Sequence, residues 1–333
     1  MRRIKEKHAL FFNSINDFKS FLSESTLSRK RLPIDPSSCG RELDKKVRFM
    51  MDKANKLENE LTRNEIIKVR SLFRRAMCDC IKKSKILKRF LEKPLGYPGD
   101  YFMFEMIYNQ EILSKNKIGI YFDRNVLTHP VAQSMIERKE CIKNLIDSFI
   151  TSSNKKELNI LNLGCGSARE LKELFASKKY SKKLIFELVD QDNRALNYAK
   201  TNLSKINANN LNFLYHKKNI LNIVKKEDLI LNNGDKYDLI YSIGLVDYFF
   251  GNIFENFINN LLRKIKNHGK IIIACCSTNS YKDFTYLKWF SDWNLVLRCP
   301  NRLEKYLSRI CNGKRVKIIK ASSNAIFFVE ISS

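Results

Sequence analysis

At 333 residues the chain is long enough for two domains, and its 44% hydrophobic content is ample for packed cores. The formal charge of +26 is dispersed along the sequence. It reads first as solvated surface charge, then as attraction to an anionic membrane surface or acyl anion, and last as a nucleic-acid groove. The 9 cysteines are odd in number and scattered, with no Cys-x-x-Cys pair and no Cys/His grouping, so no disulfide framework and no metal site is expected, and reduced thiols fit a cytoplasmic protein.

The opening Met1-Arg2-Arg3-Ile4-Lys5-Glu6-Lys7 is basic, but Ala9-Leu10-Phe11-Phe12 gives way to Asn13, so no signal peptide is expected. No run approaches the ~18 apolar residues that span a bilayer. Helical spacing then dominates. Ser14 to Leu22 and Arg41 to Leu61 predict amphipathic helices, separated by the breaker-rich linker Leu32 to Gly40. From Asn64 to Phe90 the residues Ile67, Val69, Leu72, Phe73, Met77, Ile81 and Leu87 fall mostly three and four apart, predicting one long helix. Lys93 to Tyr101 punctuates the chain before Phe104 to Tyr108, and a further helix runs from His129-Pro130 through Arg138. Residues 1–150 are therefore expected to form a helical cap region.

From residue 151 the texture changes. Leu158 to Leu163, Leu184 to Val189, Leu211 to Tyr215, Tyr237 to Ser242 and Lys270 to Cys275 are short apolar runs, each followed by an amphipathic stretch. Such alternation predicts a parallel sheet covered on both faces, here over 151–333. Arg315 to Ile319 and Ala325 to Ile331 have no helix between them and should add an antiparallel hairpin at one edge.

The first strand runs straight into Gly164-Cys165-Gly166-Ser167 and then a helix. Glycines serve such a turn because the backbone bends sharply and a ligand must approach it without meeting a Cβ. The next strand ends in Asp190, at the place where a carboxylate can accept ribose hydroxyls. This spacing fits a dinucleotide or S-adenosylmethionine. Arg169 stands where a dinucleotide fold would have its third glycine, which favours the second.

With the closing hairpin, these features resemble the class I S-adenosylmethionine-dependent methyltransferases, and the resemblance implies an α/β, Rossmann-like seven-stranded sheet with a reversed last strand. It further implies cofactor contacts at Gly164, Cys165, Gly166 and Arg169, ribose binding by Asp190 beside Gln191, adenine flanked by Asn219 and Ile220, and the methionine portion near Ser242 and Gly244. More narrowly, Leu95-Gly96-Tyr97-Pro98-Gly99-Asp100-Tyr101, Val189-Asp190-Gln191-Asp192, Tyr241 to Tyr248 and Trp289 to Leu295 are similar to the bacterial extracellular-factor 3-hydroxypalmitic acid methyl ester biosynthesis proteins. That similarity implies O-methylation of the carboxylate of a small or fatty-acyl (hydroxy fatty acid) substrate.

Asp247 and Tyr248 follow the fourth strand, where they could face the acceptor as catalytic residues, or Asp247 could cap the next helix. Tyr97 and Tyr101 could form a lid or only a tight turn. Arg138 and Trp293 complete the candidate substrate residues, with solvation and core packing as their structural alternatives. Arg169 lies in the first turn of a helix, where a cation needs a local anion such as Glu170, Asp190 or the cofactor's carboxylate. An RNA methyltransferase and a non-catalytic cofactor-binding protein remain the alternatives. The first has the basic charge in its favour but lacks the Pro-Cys and Asn-Pro-Pro-aromatic motifs after the fourth strand.

Overall fold

The computed structural model describes residues 8–27, 38–220, 236–311 and 313–332. The chain divides into two compact units, one holding everything up to Gln133 together with Tyr281–Asn294, the other Ser134–Ser280 with Leu295–Ser333. These limits differ from a division at residue 150 in two places, since residues from Ser134 onward already belong to the sheet unit and Tyr281–Asn294 belongs to the helical one.

The helical unit contains α1 (Ala9–Leu27), α2 (Ser38–Glu60), α3 (Arg63–Lys83), α4 (Lys85–Glu92), α5 (Tyr101–Asn109) and α6 (Lys117–Thr128), and begins α7 (Pro130–Ser152). The stretch expected as one helix from Asn64 to Phe90 is two. Ser84 is extended (φ −83°, ψ 127°), and its hydroxyl accepts from Leu87 N to cap α4. The same hydroxyl donates to Asp123, whose carboxylate also accepts from Ile86, Leu113 and Ser114 backbone N–H groups. That set of donors fixes the break. Ser38–Gly40 open α2 rather than belonging to a linker, and Leu32 to Ser37 lie outside the described residues. The inserted helix α11 (Tyr281–Ser291) carries Trp289 and Phe290, which meet Phe73 edge-on with centroids 5.4 and 5.1 Å away. Aromatic edges packed in this way form the unit's core.

The sheet unit holds β1 (Glu157–Leu163), α8 (Arg169–Ser177), β2 (Lys183–Asp190), α9 (Asn193–Leu203), β3 (Leu211–Lys217), β4 (Tyr237–Ser242), α10 (Asn252–Lys264), β5 (Ile265–Cys276), α12 (Pro300–Ile310), β6 (Arg315–Lys320) and β7 (Ile326–Ser332). The strands form one sheet in the order β3-β2-β1-β4-β5-β7-β6. β1 to β5 are parallel, and β7 runs antiparallel between β5 and β6. This is the expected α/β class with its reversed last strand. Every residue of β4 is buried, as a central strand covered on both faces requires. Two details depart from expectation. β5 starts five residues earlier than Lys270, and α12, with Pro300 in its first turn, follows Cys299. No helix among the described residues is long and apolar enough to cross a membrane.

Candidate cofactor and acceptor site

The chain order reverses between β1 and β4, so the carboxyl ends of these strands form the crevice in which open α/β sheets bind ligands. Gly164 and Gly166 have φ of +70° and +54°, a region that side chains other than glycine's rarely tolerate. The turn is anchored to the next strand. Gly164 N and Cys165 N donate to Val189 O at 2.8 and 3.0 Å. Gly166 N donates to Asp190 Oδ2 and Asp192 N to Oδ1, both at 2.9 Å. Asp190 is thus aimed back at the turn, and burial raises its carboxyl above the usual range against the pull of those N–H groups. Cys165 is buried and its thiol is pushed well above its ordinary value, first by burial and then by Asp190 and Glu170.

The other expected cofactor residues fare differently. Gln191 and Asn219 are exposed, and Ile220 is buried in the apolar cluster beneath β1 and β4. The Cδ1 of Ile220 lies 3.9 Å from where a Cβ on Gly164 would stand. Ser242 is fully buried, and its hydroxyl donates to Leu163 O at 2.7 Å, tying β4 to β1. Arg169 is paired with Glu173, one turn along α8, at 2.7 Å. Glu173 was not among the expected anions, and the i, i+4 spacing lets a guanidinium in the first turn reach a carboxylate on its own helix.

At the ends of β4 and β5 a second constellation gathers. Asp247 lies inside a short 3₁₀ helix, Val246–Tyr248, and does not cap α10, which starts only at Asn252. It is 2% exposed, and it accepts from Cys276 N at 2.8 Å and from Cys276 Sγ at 3.3 Å. Two guanidiniums face it. Arg298 Nη1 is 4.0 Å from its Oδ1, while Nη2 donates to Phe249 O at 2.6 Å. Arg138, 4% exposed on α7, places its Nη atoms 3.7 and 3.8 Å from the Cβ position of Gly244. Burial raises the Asp247 carboxyl, and Cys276, Arg138 and Arg298 oppose that rise. The backbone joins in, since Val296 N donates to Asp247 O and Arg298 N to Cys276 O, both at 2.8 Å. These bonds tie the turn after β4 to the end of β5. Tyr248 is half-buried against the apolar cluster.

Tyr97, Tyr101 and Trp293 belong to the helical unit. Trp293 is buried edge-on to Phe90 and Phe104, with centroids 6.1 and 6.2 Å away, as a core residue would be. Tyr101 opens α5, whose cap Asp100 accepts from Met103 N and from the Arg89 guanidinium, which hold the Tyr101 end of the Tyr97 to Tyr101 segment.

One group escaped the sequence reading. Asn162, Glu170 and Tyr241, from β1, α8 and β4, form a buried polar cluster behind the glycine turn. The signal was available at Asn162, a polar residue between Leu161 and Leu163 on a buried strand. Asp192, the cap of α9, holds Arg194 by its backbone and side chain.

Residues 154–317 match the family model described as a methyltransferase domain. No curated protein matches the chain. Among solved structures, a possible exported protein from Bordetella parapertussis is 14% identical, with 70% of this chain and 79% of that one covered and a TM-score of 0.55. Magnesium protoporphyrin IX methyltransferase from Synechocystis PCC 6803 with bound SAM is 10% identical, covering 69% and 91% of the two chains at a TM-score of 0.44. The N-methyltransferase NodS from Bradyrhizobium japonicum WM9 is 11% identical over 59% and 96%, at 0.40. The first shares the fold. The sheet unit thus has the Rossmann-like fold of class I methyltransferases, and residues 154–317 match a methyltransferase domain.

Proposed function

We propose that this chain methylates a carboxylate oxygen of a small or fatty-acyl acid. The turn fits the cofactor. Two positive-φ glycines keep side chains away from the approach, and the Asp190 carboxylate accepts from the Gly166 and Asp192 backbone N–H groups while retaining acceptor capacity for a ribose hydroxyl. Gly164, Cys165, Gly166 and Asp190 would hold the cofactor, with Gln191, Asn219 and Ile220 at the nucleoside and Gly244 near the methionine portion. Ser242 acts one step behind, by clamping β1 to β4. S-adenosylmethionine supplies an electrophilic methyl group.

The observation that carries the carboxylate reading is the buried Arg138 guanidinium beside Gly244. A planar fork of N–H donors suits a carboxylate, and in a desolvated site it orients the acceptor more strongly than it would in water. A carboxylate is already anionic at neutral pH, so the residues need only bind and align it, without a strong general base. Asp247 serves this by holding the ends of β4 and β5 and by facing both guanidiniums.

The test incubates the protein with methyl-labelled cofactor and separate pools of hydroxy fatty acids, RNA and protein. Base-labile methyl esters in the acid pool are expected, and Arg138→Met should lower their yield by about 100-fold, the loss of a charge-assisted bidentate contact. Label in RNA or protein alone would overturn the proposal.

A further inference from the structure

The cluster behind the glycine turn has an imbalance of donors and acceptors. Asn162 Nδ2 donates to Glu170 Oε1 at 3.0 Å and to the Tyr241 hydroxyl at 2.8 Å, and that hydroxyl donates to the same Oε1 at 2.8 Å. All available side-chain hydrogens are thereby used. Asn162 Oδ1 is buried and receives no hydrogen bond. Asn162 is 1% exposed and Glu170 3%. Buried acceptors in excess of donors are costly, and an ionised carboxylate among them is more so. A proton on Glu170 removes the buried charge and adds the donor that the cluster lacks.

We propose that Glu170 is a proton-linked counter-charge for the cofactor: it holds a proton in the free protein and releases it to solvent when the cationic methionine portion of S-adenosylmethionine enters the turn directly in front of it. The inference rests on the cofactor reading above. Its geometry is specific, because Glu170 lies in the first turn of α8, four residues after Gly166, and is joined to β1 and β4 on either side of the turn's root. A carboxylate there is favoured by the helix N-terminus, yet burial outweighs this and lifts its titration to about 7.

The titratable groups facing it are Tyr241 from β4, Cys165 from the turn and Glu173 along α8. Tyr241 and Cys165 are both pushed well above their ordinary values and keep their protons at neutral pH. Glu173 is occupied by Lys139, Lys143 and Arg169. Across the turn, Asp190 is raised by burial as well. Glu170 is therefore the group whose charge can change around neutrality as the cofactor arrives. Linkage then fixes the sign. Binding that favours the ionised form tightens as pH rises through the titration of the free protein and levels off above it.

The experiment is calorimetric titration of the whole chain with S-adenosylmethionine, between pH 6 and pH 8, in two buffers of different ionisation enthalpy. The expected result is proton release on binding and affinity about tenfold higher at pH 8 than at pH 6, the ratio set by a single group titrating near 7. Glu170→Gln, which mimics the protonated form, should bind weakly at both pH values with no slope. Tyr241→Phe removes one donor from the carboxylate and should move the midpoint to higher pH, so it tests the idea even if Glu170→Gln does not fold. A flat wild-type profile without proton release would overturn the inference, as would an unchanged slope in Glu170→Gln. Wild-type protein that binds no cofactor at any pH would instead overturn the cofactor reading beneath it.

Discussion

Both units bury acidic side chains, but they satisfy them differently. In the helical unit Asp123 accepts four hydrogen bonds, and Glu58 takes the Arg70 guanidinium and the Trp289 indole N–H. Asp100 caps α5 and pairs with Arg89. In the sheet unit Asp238, at the start of β4, is saturated likewise by Asn159 N, Lys155 and Lys266, and the difference lies at the carboxyl ends of the strands. There a buried guanidinium stands beside Gly244, and Asn162 Oδ1 has no donor. Burial of charge therefore does not itself mark function. Saturated carboxylates hold segments together, whereas an acceptor such as Asn162 Oδ1, without a donor behind the glycine turn, marks a place where a change of protonation can act.

The sharpest way to break this contrast is to empty a saturated site. Asp123→Ala should leave the donors of Ser84, Ile86, Leu113 and Ser114 stranded and cost about 3–5 kcal/mol in denaturant unfolding, as loss of one side of a buried network does. A loss below about 1 kcal/mol would show that those bonds are not structural.

Acid titration comes next. His129 stacks on Tyr286 with centroids 4.4 Å apart, and burial lowers its pKa to about 4. It is neutral when folded and takes a proton below about 6.5 when unfolded, so its contribution is complete above that pH and is lost as pH falls toward 4. The loss amounts to at most about 3 kcal/mol. Melting followed across that window should show it, and His129→Gln should flatten that part of the curve.

Asp247→Asn separates positioning from catalysis. One amide oxygen can still accept from Cys276 N, so a positioning residue should lose less than about tenfold in kcat, whereas a general base would lose ~10²–10⁴. The smallest effect is expected at Thr62, where the reciprocal capping box with Glu65 is exposed, and Thr62→Ala should cost about 1 kcal/mol by chemical denaturation.

The strands and the glycine turn were legible because their signals are local. An apolar run ending in Gly164-Cys165-Gly166, with Asp190 closing the next strand, carries its own geometry. What was hidden depends on distant partners. Helical spacing continues through Ser84, and nothing nearby announces that Asp123, 39 residues on, will break the helix there. Asp247 resembled a cap because Asp often is one, but its partner is Cys276, 29 residues away. The Tyr281–Asn294 segment follows β5 in sequence yet packs with helices from the first third of the chain, a contact no periodicity reveals. The α12 start was readable in Cys299-Pro300, since proline favours the first turn, and its basic surface residues masked the apolar stripe of Leu303 and Leu307.

The central claim is that the sheet unit holds S-adenosylmethionine at the turn closed by Asp190. Calorimetric binding of the cofactor to wild type and Asp190→Ala, with melting curves to verify folding, tests it most directly. The account predicts that the folded variant binds about 100-fold more weakly or not at all, about 2.7 kcal/mol or more. A folded Asp190→Ala protein with wild-type affinity would contradict it.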